Sequence, residues 1–145
     1  MPFFSGEHGG CAWSLTLGPV VAGDLDQFVA YIARFGRAIR PGYVVLDLVH
    51  SIAMPSSLER QRITDALAAT PNKELLAGHA LVTNSSAARG VLTAINWFVD
   101  RPFPERVFAQ PAEAARWLAT LSPALDSAEL LRAVARESPL RGLRW

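Results

Sequence analysis

Ser56 and Ser57 follow Pro55 in the stretch YVVLDLVHSIAMPSSLERQR, residues 43–62, where an apolar run gives way to a polar turn and a helix start. A helix N-terminus presents free backbone N–H groups and the positive end of the helix dipole, so it favours negative charge, phosphate included. The two serines are therefore phosphoacceptor candidates. A phosphoryl group there would add close to two negative charges, enough to break an apolar interface. The plainer expectation is that one of them is the N-cap. Asp47, His50 and Ser56 are the residue types of a hydrolytic triad, which needs a nucleophile, a base and an orienting carboxylate within hydrogen-bond reach. No G-x-S-x-G elbow accompanies them, so a small serine hydrolase ranks last among the readings.

A second polar set, Asn84, Ser85, Ser86 and Arg89, stands where the apolar run HALVT meets the next helical pattern. These are anion-binding candidates: capping side chains at a helix start, with an arginine whose planar fork matches carboxylate or phosphate. No glycine-rich phosphate loop is present. Partner-binding candidates are His50, Ser51, Met54 and Arg60 around the first serine pair, and the aromatics Trp97, Phe98 and Phe103 at the end of the third helix, since exposed aromatics mark interfaces. His8, His50 and His79 fall in separate segments without metal-ligand spacing, so no metal and no cofactor are expected. Cys11 is the one cysteine. It has no basic neighbour to lower its pKa and can form no internal disulfide, which implies a reducing, cytoplasmic setting.

The elements that must position these groups follow from periodicity. Residues 1–11 read as a loose glycine-rich leader. CAWSLTL (Cys11 to Leu17) partly alternates and predicts a strand, ended by Gly18-Pro19. Asp24 is the expected N-cap of a helix carrying Leu25, Phe28, Val29, Ile32 and Phe35 on one face. Tyr43 to Leu48 is nearly all apolar, as in a central strand covered on both faces. Ser56 to Ala69 predicts a helix with Ile63, Ala66 and Leu67 inward, and Asp47 is expected to bond loop N–H groups. His79 to Thr83 predicts a third strand. A helix with Ala88, Val91, Leu92, Ile95 and Val99 on one face follows it. Arg106 to Ala109 predicts a short strand. Pro111 opens a helix with Ala114, Trp117, Leu118 and Leu121 inward, Trp117 in the core. Asp126 to Arg136 predicts a last helix burying Leu130, Leu131 and Val134, with the final RGLRW frayed.

This β-α-β-α-β-α-β-α order, with a further helix, implies an α/β fold with a mostly parallel sheet of four to five strands and helices packed on it. The chain has 145 residues, 50% hydrophobic and 19% charged, at a formal net charge of +1. That suits one domain with a real core. No basic block points to nucleic acid, no apolar run spans a bilayer, and the N-terminus lacks a signal peptide's basic and apolar regions. Residues 12–121 form the expected domain, and 122–145 a C-terminal helix and tail packed on it.

The strand VVLDL (Val44 to Leu48) with its serine-opened helix, the strand ALVTN (Ala80 to Asn84) with the helix after it, and RVFAQPAEAARWL (Arg106 to Leu118) together resemble the STAS domains. The likeness is to the anti-sigma-factor antagonist fold, and in particular its SpoIIAA-like group. It covers roughly residues 12 to 121. It implies a single STAS-like domain whose first strand runs antiparallel to the rest. In that family the loop after the strand carries an Asp-Ser-x-Gly type motif whose serine is phosphorylated by a partner kinase. That serine falls on Ser56, with Pro55 in place of the acidic residue and Leu58 in place of the glycine. The resemblance implies a non-enzymatic bacterial signalling or scaffolding module with a protein partner. A homo-oligomer is left open. The alternative is a carrier of a small-molecule or lipid-like ligand, since the SpoIIAA-like group resembles lipid-exchange domains in fold.

Overall fold

The Gly9-Gly10 pair sets the first turn. Both residues have positive φ, +57° and +80°, the requirement of a tight two-residue hairpin that only glycine meets freely. The computed structural model describes residues 3–18, 22–52, 55–96 and 102–145. In it the hairpin joins β1 (Phe3–His8) to β2 (Cys11–Leu17), antiparallel, with His8 opposite Cys11. Residues 3–8, expected to be a loose leader, are thus an edge strand. Gly6 admits it: the indole of Trp13 lies across the strand where a Cβ would stand.

The chain continues through α1 (Ala22–Ala38), β3 (Tyr43–His50), α2 (Ser57–Ala68), β4 (Leu76–Thr83), α3 (Ser86–Asn96), β5 (Glu105–Phe108), α4 (Pro111–Leu121) and α5 (Ser127–Glu137). The result is an α/β fold with a five-stranded mixed sheet in the order β1-β2-β3-β4-β5. Strands β2, β3, β4 and β5 pair in parallel, and among the described residues β1 alone is reversed. The antiparallel partner is therefore β1. The Cys11–Leu17 strand, expected to be the reversed one, is parallel to β3. Helix α1 starts at Ala22, so Asp24 lies inside its first turn rather than ahead of it. Among the described residues no helix is long and apolar enough to cross a membrane.

Side chains alternate across a strand, which divides the core in two. On one face Trp13, Leu15, Val44, Leu46, Leu48, Ala80 and Val82 pack with Ala114, Leu118, Leu130 and Val134 of α4 and α5. On the other, Ala12, Val45 and Leu76 meet Tyr31, Ile32 and Phe35 of α1, while Val49 and Leu81 meet Ala88 of α3. Trp117 is half-buried at the edge of the first layer rather than in its centre. It packs on Phe108, with the Arg106 guanidinium over both rings. The expected frayed end is also ordered: Leu140 is buried, and Leu143 and Trp145 pack against the same layer.

Candidate functional site

The parallel strands carry their loops at one edge of the sheet, the place where open α/β folds put their working groups. There β3 ends at His50, and Ser51 takes a left-handed backbone with φ +57°, which costs an L-residue about 1–2 kcal/mol. Asn84, after the end of β4, holds it: the Ser51 N–H donates to Asn84 Oδ1 at 2.8 Å, and Asn84 Nδ2 donates to Ser51 Oγ at 3.3 Å. Ser85 Oγ donates to the Ile52 carbonyl at 3.1 Å and accepts from the Ala88 N–H at 3.3 Å, capping α3. Gly18 N–H donates to the His50 carbonyl at 2.9 Å. These contacts tie the segments after β2, β3 and β4 into one block.

Of the anion-binding candidates, Asn84 and Ser85 are thus committed to the Ser51–Ile52 loop. Ser86 and Arg89 are exposed at the start of α3. His50 turns away from Asp47, because residues an odd number apart on a strand face opposite sides. Its Nε2 lies 2.7 Å from the Arg144 carbonyl, and its ring meets Trp145 edge-on at 5.0 Å. A carbonyl oxygen only accepts, so His50 Nε2 carries the proton. Asp47, His50 and Ser56 are therefore not brought together as a triad.

Ser56 is the N-cap of α2, in a reciprocal capping box. The Glu59 N–H donates to Ser56 Oγ at 3.1 Å and the Ser56 N–H to Glu59 Oε1 at 2.9 Å. Those bonds hold the Glu59 carboxyl below the usual carboxylate range. Ser57, the next residue, is exposed. Arg60 reaches back over it, with Nη1 donating to the Pro55 carbonyl at 2.9 Å and Nη2 to Ser57 Oγ at 3.1 Å. Leu58 beside them is 75% exposed. Met54, Trp97 and Phe98 lie outside the described residues. Phe103 is half-buried against the α1-side core, so it is part of the packing.

A second polar cluster, deeper in the sheet, joins Asp47 and His79, which the sequence sets in separate roles, with Ser14, Tyr31 and Glu105, which it does not single out. Among the described residues, Asp47 bonds side chains and not the loop N–H groups expected for it. Its Oδ1 accepts from Ser14 Oγ on β2 at 2.7 Å and from the Tyr31 hydroxyl of α1 at 3.2 Å. Its Oδ2 meets His79 Nε2 on β4 at 2.7 Å, and His79 Nδ1 meets Glu105 Oε2 on β5 at 2.7 Å. Ser14 stands directly opposite Asp47, and His79 directly opposite Glu105. The row thus crosses four strands under α1. His79 is 7% exposed and Asp47 9%.

Only a doubly protonated imidazole satisfies a carboxylate on each nitrogen. Burial pulls the His79 pKa down, but the hydrogen bonds and charges of Asp47 and Glu105 outweigh it and raise the group to about 9. An imidazolium with both N–H groups engaged cannot bind a metal or act as a base. Among the described residues, no group of three or more His, Cys, Asp or Glu could hold a metal ion. Tyr31 is buried against the Asp47 carboxylate; burial, then that charge, push its phenol well above the ordinary range. Cys11 is buried, and its thiol is pushed far up by burial and by the nearby Asp47 and Glu7 carboxylates.

Asp47 and His79 are charged or titratable residues inside otherwise apolar strands and Glu105 opens β5, which marks each as unusual, but only the strand register makes them neighbours. Set against known proteins, the chain matches no family model, no curated protein and no solved structure.

Proposed function

We propose that this chain is a non-enzymatic regulatory or scaffolding module of the STAS type, acting in the cytoplasm through contact with a protein partner, with a serine phosphoswitch at the start of α2. One observation carries the reading. The Arg60 guanidinium, anchored on the Pro55 carbonyl, already lies 3.1 Å from the hydroxyl of exposed Ser57, beside exposed Leu58. A phosphoryl group on Ser57 would gain a charge-assisted partner and the helix dipole. It would also place close to two negative charges beside the apolar Leu58. The Ser51–Asn84 lock supports the reading too, since a rigid loop block presents one fixed surface to a partner. Phosphosite mapping by mass spectrometry on the protein from its own source tests it, together with partner binding by Ser56→Ala, Ser57→Ala and Arg60→Ala. The expected result is phosphate at Ser57 and altered partner binding in the Ser57 and Arg60 variants. Serines without phosphate, with partner contacts indifferent to all three substitutions, would retire the proposal.

A further inference from the structure

Residues 140–145 are held to the rest of the molecule in a separable way. Helix α5 stops at Ser138, which has an extended backbone and whose hydroxyl donates to the Val134 carbonyl at 2.7 Å. The turn that follows, Leu140–Gly142, makes its backbone bonds within itself: Gly142 to Pro139 at 3.1 Å and Leu143 to Leu140 at 3.2 Å. Among the described residues, its hydrogen bond to a strand is that of the Arg144 carbonyl with His50 Nε2 at 2.7 Å. The remaining grip is apolar. Leu140, Leu143 and Trp145 lie on the α4/α5 side of the sheet, and Trp145 meets the His50 ring edge-on. His50 stands opposite Leu17, so the segment covers the carboxyl end of β2 and β3, next to the locked Ser51.

Two features bear on how this segment is held. His50 reads a backbone carbonyl, which any extended segment can offer. The Trp145 indole N–H is buried with no acceptor among the described residues, and a buried donor left unpaired weakens the dock. Segments held by few backbone hydrogen bonds to the sheet open before the strands themselves.

We propose that Leu140–Trp145 is a displaceable strap, and that the His50 surface beneath it is a binding site for an extended peptide. The occupant it fits carries a backbone carbonyl for the imidazole N–H and an aromatic residue directly after it, with an acceptor for the ring where one is available. In the free protein the chain's own segment fills the site and masks it. The strap acts at His50 whether or not Ser57 is modified, so this site stands or falls separately from the phosphoswitch.

The test uses the full chain and a fluorescein-labelled peptide of residues 138–145, SPLRGLRW, read by fluorescence polarisation. Substituting Trp145→Ala or Leu143→Ala weakens the strap. Each full-length variant should bind the peptide at least tenfold more tightly than wild type, and adding His50→Ala should abolish the gain. If either variant keeps the wild-type circular dichroism spectrum and binds no better than wild type, the site does not exist. The same holds if the His50 substitution changes nothing. Hydrogen exchange on wild type provides a check independent of variant folding. Amides of residues 142–145 should exchange at least tenfold faster than those of α5, and protection equal to that of α5 would make the segment a fixed element and overturn the strap.

Discussion

His79 Nε2 lies 2.7 Å from Asp47 Oδ2 across two neighbouring parallel strands, while Nδ1 of the same ring meets Glu105 at 2.7 Å. This pairing fixes how stability should vary with pH. The His79 pKa is about 9 in the fold and 6.5 without it. A raised pKa contributes stability that is fully present below pH 6.5 and is lost as pH climbs through 9. The gap corresponds to a loss on the order of 3 kcal/mol. Urea unfolding of wild type at pH 6, 7.5 and 9.5 should show a falling midpoint, and His79→Gln should flatten that slope. A midpoint constant over this range, or a His79→Gln profile parallel to wild type, would mean the imidazole is not held charged.

Removing one member of the row should cost more than a surface ion pair would. Asp47→Ala leaves an imidazolium, the Tyr31 hydroxyl and the Ser14 hydroxyl without their common acceptor. Breaking a buried pair in this way costs about 3–5 kcal/mol. Equilibrium unfolding should place Asp47→Ala that far below wild type, and Ser14→Ala within about 1.5–3 kcal/mol, as for one bond to a charged group. Equal losses in the two variants would show that Asp47 is not the centre of the row.

The α/β order was legible because each element has its own period: strands apolar throughout or alternating, helices striped with capping serines and prolines at their starts. The buried row was not, because its geometry is a matter of sheet register. Asp47 and His79 are far apart in sequence and meet only because β3 and β4 pair so that Val45 stands opposite His79, two residues from Asp47. Sequence proximity suggested His50 instead, which strand alternation sends to the other face. Tyr31 was hidden for a related reason. It lies on the buried side of α1 between Phe28 and Phe35, where the stripe of purely apolar residues left it out.

The edge strand β1 rests on a glycine whose neighbour leaves no room. A Cβ on Gly6 would stand 2.7 Å from the Trp13 indole, and Trp13 is 1% exposed. Overpacking of a filled core costs about 1–3 kcal/mol. Gly6→Ala should lower stability by that amount in thermal unfolding. An unchanged midpoint would mean that residues 3–8 do not pair with β2, since a loose leader tolerates alanine.

At the loop block, strain and its restraint can be separated. Ser51→Gly relieves the left-handed backbone but adds freedom to the unfolded chain, about 0.5–1 kcal/mol for glycine, so the net change should be small. Ser51→Val, β-branched at positive φ, should destabilise by at least about 1 kcal/mol. Asn84→Ala removes the acceptor of the Ser51 N–H and should cost about 1 kcal/mol. If valine proves as harmless as glycine in chemical denaturation, the left-handed conformation is not enforced.

The two serines of α2 should come apart in the same kind of experiment. Ser56 Oγ accepts the Glu59 N–H and completes the capping box, whereas Ser57 Oγ accepts from the Arg60 side chain at an exposed site. Loss of an N-cap side chain costs about 1 kcal/mol, and exposed substitutions stay within about 0.5 kcal/mol. Ser56→Ala should therefore lower the unfolding free energy by about 1 kcal/mol and Ser57→Ala should leave it unchanged. A phosphoserine placed at position 57 by semisynthesis should hold or raise stability, because the helix dipole and Arg60 both favour its charge. It should do so less in Arg60→Ala. A destabilised phosphoserine protein, or one indifferent to Arg60, would show that the guanidinium is not placed to receive the group.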